Sequence, residues 1–156
     1  HKLSESFINT VGVRFWNTHG GLSPQYRGVT THFWPSYFLE PQMTGMTLHE
    51  TTNFLDAGEI IFQTAAPMVR GDTLHRLAAR NVEFFTKMLV EKINFLNFFN
   101  LPNGVTQTGY GKVFIGKDWR PEHLRLIYET HGDAIVDKVI NGDIQGREPN
   151  LISVLD

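Results

Sequence analysis

Apolar residues recur every three or four positions over the segment 73–96, which is the longest regular pattern in the chain. Its apolar positions are Leu74, Leu77, Ala78, Val82, Phe85, Leu89, Ile93 and Leu96. This spacing predicts a long helix with one buried face. Asp72 stands directly before the segment and is the predicted N-cap, a contact worth about 1 kcal/mol to a helix.

Shorter apolar runs between turn residues predict strands and short helices around this long helix. The predicted strands are 13–16, 45–52, 59–65 and 112–115, and the predicted short helices are 4–11, 31–39, 121–130 and 133–140. The segments 20–28, 53–58 and 97–111 contain Gly together with Pro or Asn, which is typical of loops and turns. The apolar tail 151–155 is expected to dock on the core.

Strands that alternate with a long helix indicate an α/β architecture. We divide the chain into a core, residues 1–96, and a C-terminal extension, residues 97–156, that holds one strand and short helices. The length of 156 residues is enough for one domain with its own hydrophobic core. No internal repeat or low-complexity segment interrupts this order, and periodicity alone does not decide whether the sheet is parallel.

Composition excludes several classes of protein. Hydrophobic residues make up 41% and charged residues 19%, which is typical of a soluble globular protein. The net charge is −2 without a basic block, so neither nucleic acid nor an anionic membrane is indicated as a partner. The chain has no cysteine, which excludes disulfides and thiolate chemistry and is compatible with a cytoplasmic location. No apolar run approaches the roughly 20 residues of a membrane span.

Three polar residues stand out at the ends of predicted strands. Asn17 and His19 precede the glycine-rich loop 20–28, and Asp56 follows 37 positions after His19 in the turn 53–58. Residues two apart on an extended strand point the same way, so the amide and the imidazole can face one carbonyl oxygen. An amide donates without titrating, an imidazole shuttles protons, and a carboxylate orients the imidazole and accepts an amine proton. These groups together are able to move an acyl group between two nitrogens.

Each residue taken singly has a more common structural explanation. An Asn before glycines is usually a turn former, a lone His is usually packed or on the surface, and a D-x-G sequence is usually a turn. It is their joint order along the chain that makes the hypothesis specific.

That order is N-x-H at 17–19, L-x-P at 22–24, T-x-H at 47–49 and D-x-G-x-I at 56–60. It resembles the folate-dependent formyltransferase family, which includes sugar N-formyltransferases, methionyl-tRNA formyltransferase and glycinamide ribonucleotide formyltransferase. The resemblance implies a Rossmann-like parallel sheet, here only the C-terminal part of that sheet with flanking helices. Members of the family carry further strands and helices before this motif. We therefore expect a C-terminal part of a longer enzyme, the alternative being a variant that lacks the first half.

The resemblance also implies a role for individual residues. It assigns catalysis to Asn17, His19 and Asp56, and it names 10-formyltetrahydrofolate, without a metal, as the formyl donor. The turn 53–58 corresponds to the family's loop against the pterin ring, so the predicted cofactor-binding residues are Asn53, Phe54, Leu55, Ala57 and Gly58. The predicted substrate-binding residues are Gly20, Gly21, Leu22, Arg27 and His49.

The acceptor is expected to be a primary amine on a small molecule. Members of the purine pathway have the sequence H-P-S-L-L-P at this place, whereas this chain has H-G-G-L-S-P at 19–24. The two glycines allow backbone conformations that Pro-Ser does not. Residues 97–156 contain six Lys or Arg and eight Asp or Glu, a net charge of −2, whereas a tRNA-binding extension should be basic. We therefore rank an amino-sugar nucleotide first, glycinamide ribonucleotide next and methionyl-tRNA last. The aromatic run 32–38 is a candidate floor for a sugar or nucleotide, although such runs more often form core.

Other functions stay open. A relative that passes the formyl group to water would be a hydrolase. A truncated, non-catalytic module would self-associate into a homo-oligomer or bind a missing N-terminal half, because truncation exposes an apolar sheet edge. A metal hydrolase built on His19, His49 and Asp56 is disfavoured because no H-E-x-x-H sequence is present.

Overall fold

The computed structural model of the chain describes residues 3–97, 99–109 and 111–156 and has a mixed α/β architecture. Residues 1 and 2 of the predicted core, and Phe98 and Tyr110 of the predicted connector, lie outside the described residues. The helices are α1 Glu5–Val11, α2 Trp34–Tyr37, α3 Leu74–Ile93 and α4 Ile135–Ile140. The strands are β1 Trp16–His19, β2 Tyr26–Gly28, β3 Met46–Glu50, β4 Ile60–Thr64 and β5 Lys112–Phe114. In the part of the chain described, no helix is both long and apolar enough to cross a membrane.

Two small sheets are formed by the described strands. The larger sheet has the order β1-β3-β4 with antiparallel pairing throughout, and the smaller sheet pairs β2 with β5 in parallel. Parallel pairing is therefore confined to β2 and β5 among the strands that the structure describes. The central strand β3 is almost fully buried because it has a strand on either side.

The first strand is displaced from its predicted position. The apolar run 13–16 predicted it, but β1 begins at Trp16, and Val13 is 57% exposed. Pairing with β3 decides the position, because Trp16 stands opposite Glu50 and His19 opposite Thr47. The predicted loop 20–28 likewise ends as strand β2, since its last three residues find a partner in β5.

The long helix is confirmed, with a different cap and a different buried face. Thr73, not Asp72, is the N-cap, because its Oγ1 accepts the backbone N–H of Arg76 at 3.2 Å. Asp72 is buried instead, where it accepts the N–H of Val69 and pairs with Arg80. Val82 of the predicted stripe is 46% exposed.

Asn81 takes the buried position next to Val82. Its Oδ1 accepts the N–H of Ala66 at 2.8 Å, and its Nδ2 donates to the carbonyl of Leu77 at 3.0 Å. A polar residue is stable there because both ends of its amide are hydrogen-bonded.

The extension is less helical than predicted. The segment 121–130 forms a short 3₁₀ helix, Pro121–His123, and a π-helical turn, Leu126–Thr130, in place of one α-helix. Helix α4 begins at Ile135 and not at Asp133, whose Oδ1 instead accepts the first N–H of α3, that of Leu74, at 2.8 Å. The docking of the tail is confirmed, since Val154 donates its N–H to the carbonyl of Ile61 at 2.9 Å.

The aromatic run belongs to the larger hydrophobic cluster. Phe33 and Trp34 are buried, and the Trp34 ring stacks on Phe114 of β5 with centroids 4.6 Å apart. The core alternative is thus correct for these two residues. A second cluster lies between the β3–β4 pair and α3 and includes Leu48, Phe62 and Phe85.

Candidate active site

Strands β1 and β3 bring two predicted site residues face to face. Asn17 stands opposite His49 in the antiparallel register, and its Nδ2 lies 3.4 Å from His49 Nε2. His19 follows two residues along β1, with its ring 6.4 Å from that of His49. The expectation that residues 17 and 19 share one face of the strand is therefore met.

The turn between β3 and β4 adds the carboxylate. Asp56 Oδ2 lies 3.4 Å from His19 Nδ1, and Asp56 Oδ1 lies 3.5 Å from His49 Nε2. The backbone N–H of Gly28 also donates to Oδ2, at 2.8 Å. The three residues predicted for catalysis thus converge, and His49, predicted for substrate binding, joins them.

Backbone carbonyls fix the orientation of both imidazoles. His19 Nε2 lies 2.8 Å from the carbonyl of Tyr26, and His49 Nδ1 lies 2.7 Å from the carbonyl of Glu50. A carbonyl only accepts, so we assign the ring hydrogens to these two nitrogens. The remaining nitrogen of each ring then faces Asp56. Asp56 therefore has an imidazole nitrogen within 3.5 Å of each of its two oxygens.

Burial and neighbouring charges set the protonation states. Burial lowers the pKa of His19, although Asp56 and the Tyr26 carbonyl oppose this effect. Burial on its own would raise the pKa of Asp56, but the neighbouring His49, the nearby His19 and the Gly28 N–H together bring that pKa below its ordinary value. At neutral pH the site therefore holds an ionised Asp56 beside a mostly neutral His19.

A cavity of about 340 Å³ opens beside this cluster. Asn17, His49 and Asp56 line it, whereas His19 lies behind them, with Nε2 against the Tyr26 carbonyl and Nδ1 toward Asp56. The volume is at the lower end of the range of about 300–1,000 Å³ for small-molecule sites. A ligand in the cavity would thus meet an amide, an imidazole and a carboxylate together.

The predicted cofactor-binding residues divide into two groups. Phe54 and Leu55 line the cavity and are 77% and 47% exposed, so they present apolar surface to a ligand. Asn53, Ala57 and Gly58 lie on the same turn but do not line the cavity. A Cβ on Gly58 would fall 1.8 Å from the carbonyl oxygen of Glu50, so this glycine is required by the close approach of the turn to β3.

The predicted substrate-binding residues are also dispersed. Leu22 is 2% exposed inside the core, so burial removes it from any contact with a substrate, and that prediction is corrected. Gly21 packs against the site from behind, since a Cβ there would lie 2.7 Å from His19 Nε2. Gly20 lines a second cavity of about 380 Å³, next to His32 and Phe33. Arg27 is half-buried, and its Nε finds no hydrogen-bond partner among the residues that the structure describes.

Sequence reasoning missed the groups that hold the cluster in place. The Tyr26 carbonyl and the Gly28 N–H belong to the backbone, so no side-chain type marks them. Ser23 Oγ donates to the carbonyl of Asp56 at 3.3 Å, and Gln107, 51 positions further on, donates to the same carbonyl. Nothing in the sequence marked Gln107, which lies between two threonines of the predicted connector.

The described residues contain no group of three His, Asp or Glu arranged to hold a metal ion.

Comparison with known sequences gives a family match. Residues 2–93 match the sequence profile of the formyl transferase family. The trifunctional purine biosynthetic protein adenosine-3 of Bos taurus is 30% identical over 120 residues, which cover 76% of this chain. The matched part spans only 10% of that bovine protein's length.

Two solved structures are similar to the fold. The formyltransferase PseJ from Anoxybacillus kamchatkensis, in complex with UDP-4,6-dideoxy-4-formamido-L-AltNAc and tetrahydrofolate, matches with a TM-score of 0.70 and 25% identity over 89% of this chain and 71% of that chain. Phosphoribosylglycinamide formyltransferase from Anaplasma phagocytophilum matches with a TM-score of 0.55 and 28% identity over 72% of this chain and 57% of that chain. The mixed α/β arrangement is accordingly that of the Rossmann-like formyltransferases.

Proposed function

Because this chain belongs to the formyl transferase family, we propose that it transfers a formyl group from 10-formyltetrahydrofolate to a primary amine of a small molecule. The observation that carries this proposal is the Asp56 side chain, held between two imidazoles and beside the Asn17 amide at the wall of a cavity. Formyl transfer needs an acceptor for the amine proton and a donor for the developing oxyanion. Asp56 is the proton acceptor, and Asn17 is the hydrogen-bond donor to the oxyanion.

The side chains divide the chemical work. Asn17 Nδ2 donates to the formyl oxygen, which gains negative charge while the amine nitrogen bonds to the formyl carbon. Asp56 takes the proton that the amine loses, and the bond between the formyl carbon and the nitrogen of the donor breaks. The proton then passes to that leaving nitrogen. His19 and His49 keep Asp56 oriented and share its proton load, His49 from the cavity side and His19 from behind.

The donor site fits the cavity beside Phe54 and Leu55. Their exposed apolar side chains give a flat ring system a surface to pack on. The PseJ complex contains tetrahydrofolate, which supports a folate as the donor. 10-Formyltetrahydrofolate would contribute the formyl group itself.

For the acceptor we propose an amino-sugar nucleotide. The PseJ complex contains a UDP-linked formamido sugar and gives the higher TM-score of the two structures, 0.70 against 0.55. Arg27 offers a guanidinium to an anionic group, which suits the phosphates of a nucleotide. Glycinamide ribonucleotide is the second candidate, because the bovine relative is a purine biosynthetic protein.

An amine panel tests the proposal. The 156-residue chain is assayed with 10-formyltetrahydrofolate and either amino-sugar nucleotides, glycinamide ribonucleotide, or no amine. We expect N-formylation of an amino-sugar nucleotide and its loss in Asn17→Ala. If only glycinamide ribonucleotide is formylated, it is the acceptor and the amino-sugar nucleotide is not. If formate is released in the absence of any amine, the protein is a hydrolase and not a transferase.

Donor binding is measured separately, because the chain spans only part of its relatives. Calorimetric titration with 5-formyltetrahydrofolate should show binding that weakens in Phe54→Ser. Absence of both binding and turnover, together with self-association in light scattering, would favour the non-catalytic module. A cytoplasmic location is part of the same proposal, and cell fractionation checks it.

A further inference from the structure

Gln107 reaches the turn that carries Asp56 from the C-terminal extension. Its Nε2 lies 2.9 Å from the carbonyl oxygen of Asp56 and 2.7 Å from that of Gly58. Because both partners are acceptors, the amide must present its NH₂ group to them. Its two N–H bonds therefore hold both ends of the segment 56–58.

The backbone next to Gln107 is itself fixed. Val105 exchanges two hydrogen bonds with Ile60, each 2.8 Å long, directly after the turn. Gly104 packs so closely that a Cβ there would lie 2.6 Å from the Cβ of Glu59. Gln107 is thus attached to a segment that has little freedom to move relative to the turn.

The turn needs such support. Asp56 has a φ of +47°, a conformation that costs energy for any residue with a Cβ. Its carboxylate accepts only one backbone N–H, that of Gly28, among the hydrogen bonds found in the described residues. Rotation of the segment 56–58 would move the carboxylate away from the imidazoles of His19 and His49.

Packing alone does not explain a carboxamide at this position. The Oε1 of Gln107 is buried and finds no partner within the described part of the chain. An unpartnered buried oxygen is destabilising, whereas an aliphatic side chain of similar size would bring no such cost. The donating end of the amide is therefore the part that the structure uses.

We propose that Gln107 is a positioning residue of the active site, which directs the Asp56 carboxylate toward His19 and His49 by holding the carbonyls of Asp56 and Gly58. This inference rests on the proposed function for its effect on turnover, but not for its effect on geometry. It extends the active site beyond residues 2–93, the part that matches the family.

The matched variants are Gln107→Met and Gln145→Met. Gln145 is an exposed glutamine of the same extension, so it controls for the substitution itself. Gln107→Glu is the second test variant, because it keeps the shape and places a carboxylate against the two carbonyls. Circular dichroism and urea unfolding establish first that each variant is folded.

The decisive readout is the titration of the His19 ring, followed by NMR in the 156-residue chain. The ionisable groups that face His19 are Asp56, His49 and His32. Asp56 raises the pKa of His19, so a displaced carboxylate should move the titration midpoint of His19 to lower pH. We expect this shift in Gln107→Met and not in Gln145→Met. The new carboxylate of Gln107→Glu acts on His19 itself, so that variant is compared by turnover.

Turnover provides the second readout. A displaced base should lower kcat about tenfold, with KM for the donor unchanged. If Gln107→Met titrates as the wild type does, the inference is wrong. If both Gln107 variants are unfolded, Gln107 is a structural residue and the inference is equally wrong. A shifted His19 titration in a protein without any formyl transfer would leave the positioning role standing and overturn the proposed function instead.

Discussion

The Asp56 carboxylate lies between the imidazoles of His19 and His49 and accepts one backbone N–H. On its far side, each imidazole is hydrogen-bonded to a backbone carbonyl. The far-side carbonyls prevent either ring from turning without the loss of a hydrogen bond. The residues consequently behave as a unit, and substitution of any one of them should alter the protonation of the others.

Asp56→Asn is expected to abolish formyl transfer. The amide keeps the size of the side chain and its oxygen still accepts the Gly28 N–H, but it no longer accepts the amine proton. We expect kcat to fall by a factor of at least about 1,000, in a protein that stays folded but has a lower unfolding midpoint because the stabilising charge of Asp56 is lost. A transfer assay and thermal unfolding measure the two effects.

The control is Asp143→Asn, because Asp143 lies on the exposed surface of the extension. It should retain wild-type turnover. Wild-type turnover in Asp56→Asn as well would remove this carboxylate from the mechanism.

Stability should rise with pH over two separate ranges. Burial lowers the pKa of both His19 and His32, so the unfolded chain binds protons more readily than the folded one, and stability decreases as the pH falls below about 6.5. Asp56 has a folded pKa below its ordinary value, so its contribution is present above about pH 4 and is lost as the pH falls through the folded pKa.

Urea midpoints measured from pH 8 to pH 3 check this expectation. His19→Asn should flatten the upper range in part, since His32 remains. It should also move the lower range toward pH 4, because His19 helps to lower the pKa of Asp56. A midpoint that increases on acidification below pH 6 would contradict the assigned direction of the histidine shifts.

Residue types and their order were enough to select Asn17, His19 and Asp56, because the chemistry depends on side chains of a particular kind. The structure brings these three together, while their catalytic role stays a prediction. The sequence did not reveal that His49 would face Asp56, because that depends on strand register. It could not reveal the Tyr26 carbonyl, since every residue has one.

At the scale of elements, β2 is short but holds both halves of the site. Its Tyr26 carbonyl binds His19 and its Gly28 N–H binds Asp56. The strand is itself held by β5 in a parallel pair. Any distortion of β2 should therefore reach the imidazole and the carboxylate together.

Gly28→Ala tests this role. Gly28 has a φ of +96°, and a Cβ would lie 2.0 Å from the backbone oxygen of Phe114. The left-handed conformation alone costs about 1–2 kcal/mol, so with the backbone overlap we expect a loss of more than about 2 kcal/mol in the free energy of unfolding.

Gly12→Ala is the matched control. Gly12 also has a positive φ, +66°, but nothing lies within 4 Å of the added Cβ. It ends α1, which has no buried residues, so its substitution should have a much smaller effect on global unfolding. Equal losses in both variants would mean that the contact between β2 and β5 contributes nothing.

Elements with strong internal periodicity were predictable, and those created by a distant partner were not. The helix α3 and the strands β3, β4 and β5 appear close to their predicted positions. Strand β2 exists only because β5, about 85 residues later, pairs with it, and no local pattern carries that information. In the segment 121–130 a local pattern predicted an α-helix, but the structure has a 3₁₀ helix and a π-helical turn there.

At the scale of the molecule, the extension is attached to the core at separate points. Val105 pairs with Ile60, Val154 with Ile61, and β5 with β2. Asp133 caps the helix α3 through Leu74. The predicted division between residues 96 and 97 therefore separates two parts that are joined by several hydrogen bonds. Whether these two parts unfold separately can be measured.

Native-state hydrogen exchange answers it. The amides of Val105 and Val154 donate to the core strand β4, so we expect them to exchange only in the global opening that also releases the amides of β4 itself. The amide of Ile8 in α1 is the internal control, because that helix has no buried residues and should open locally at far lower free energy. If Val105 and Val154 exchanged as easily as Ile8, the extension would be a separate unit. Its Gln107 could not then hold Asp56 in place, because a segment that opens independently exerts no constraint on the turn it contacts.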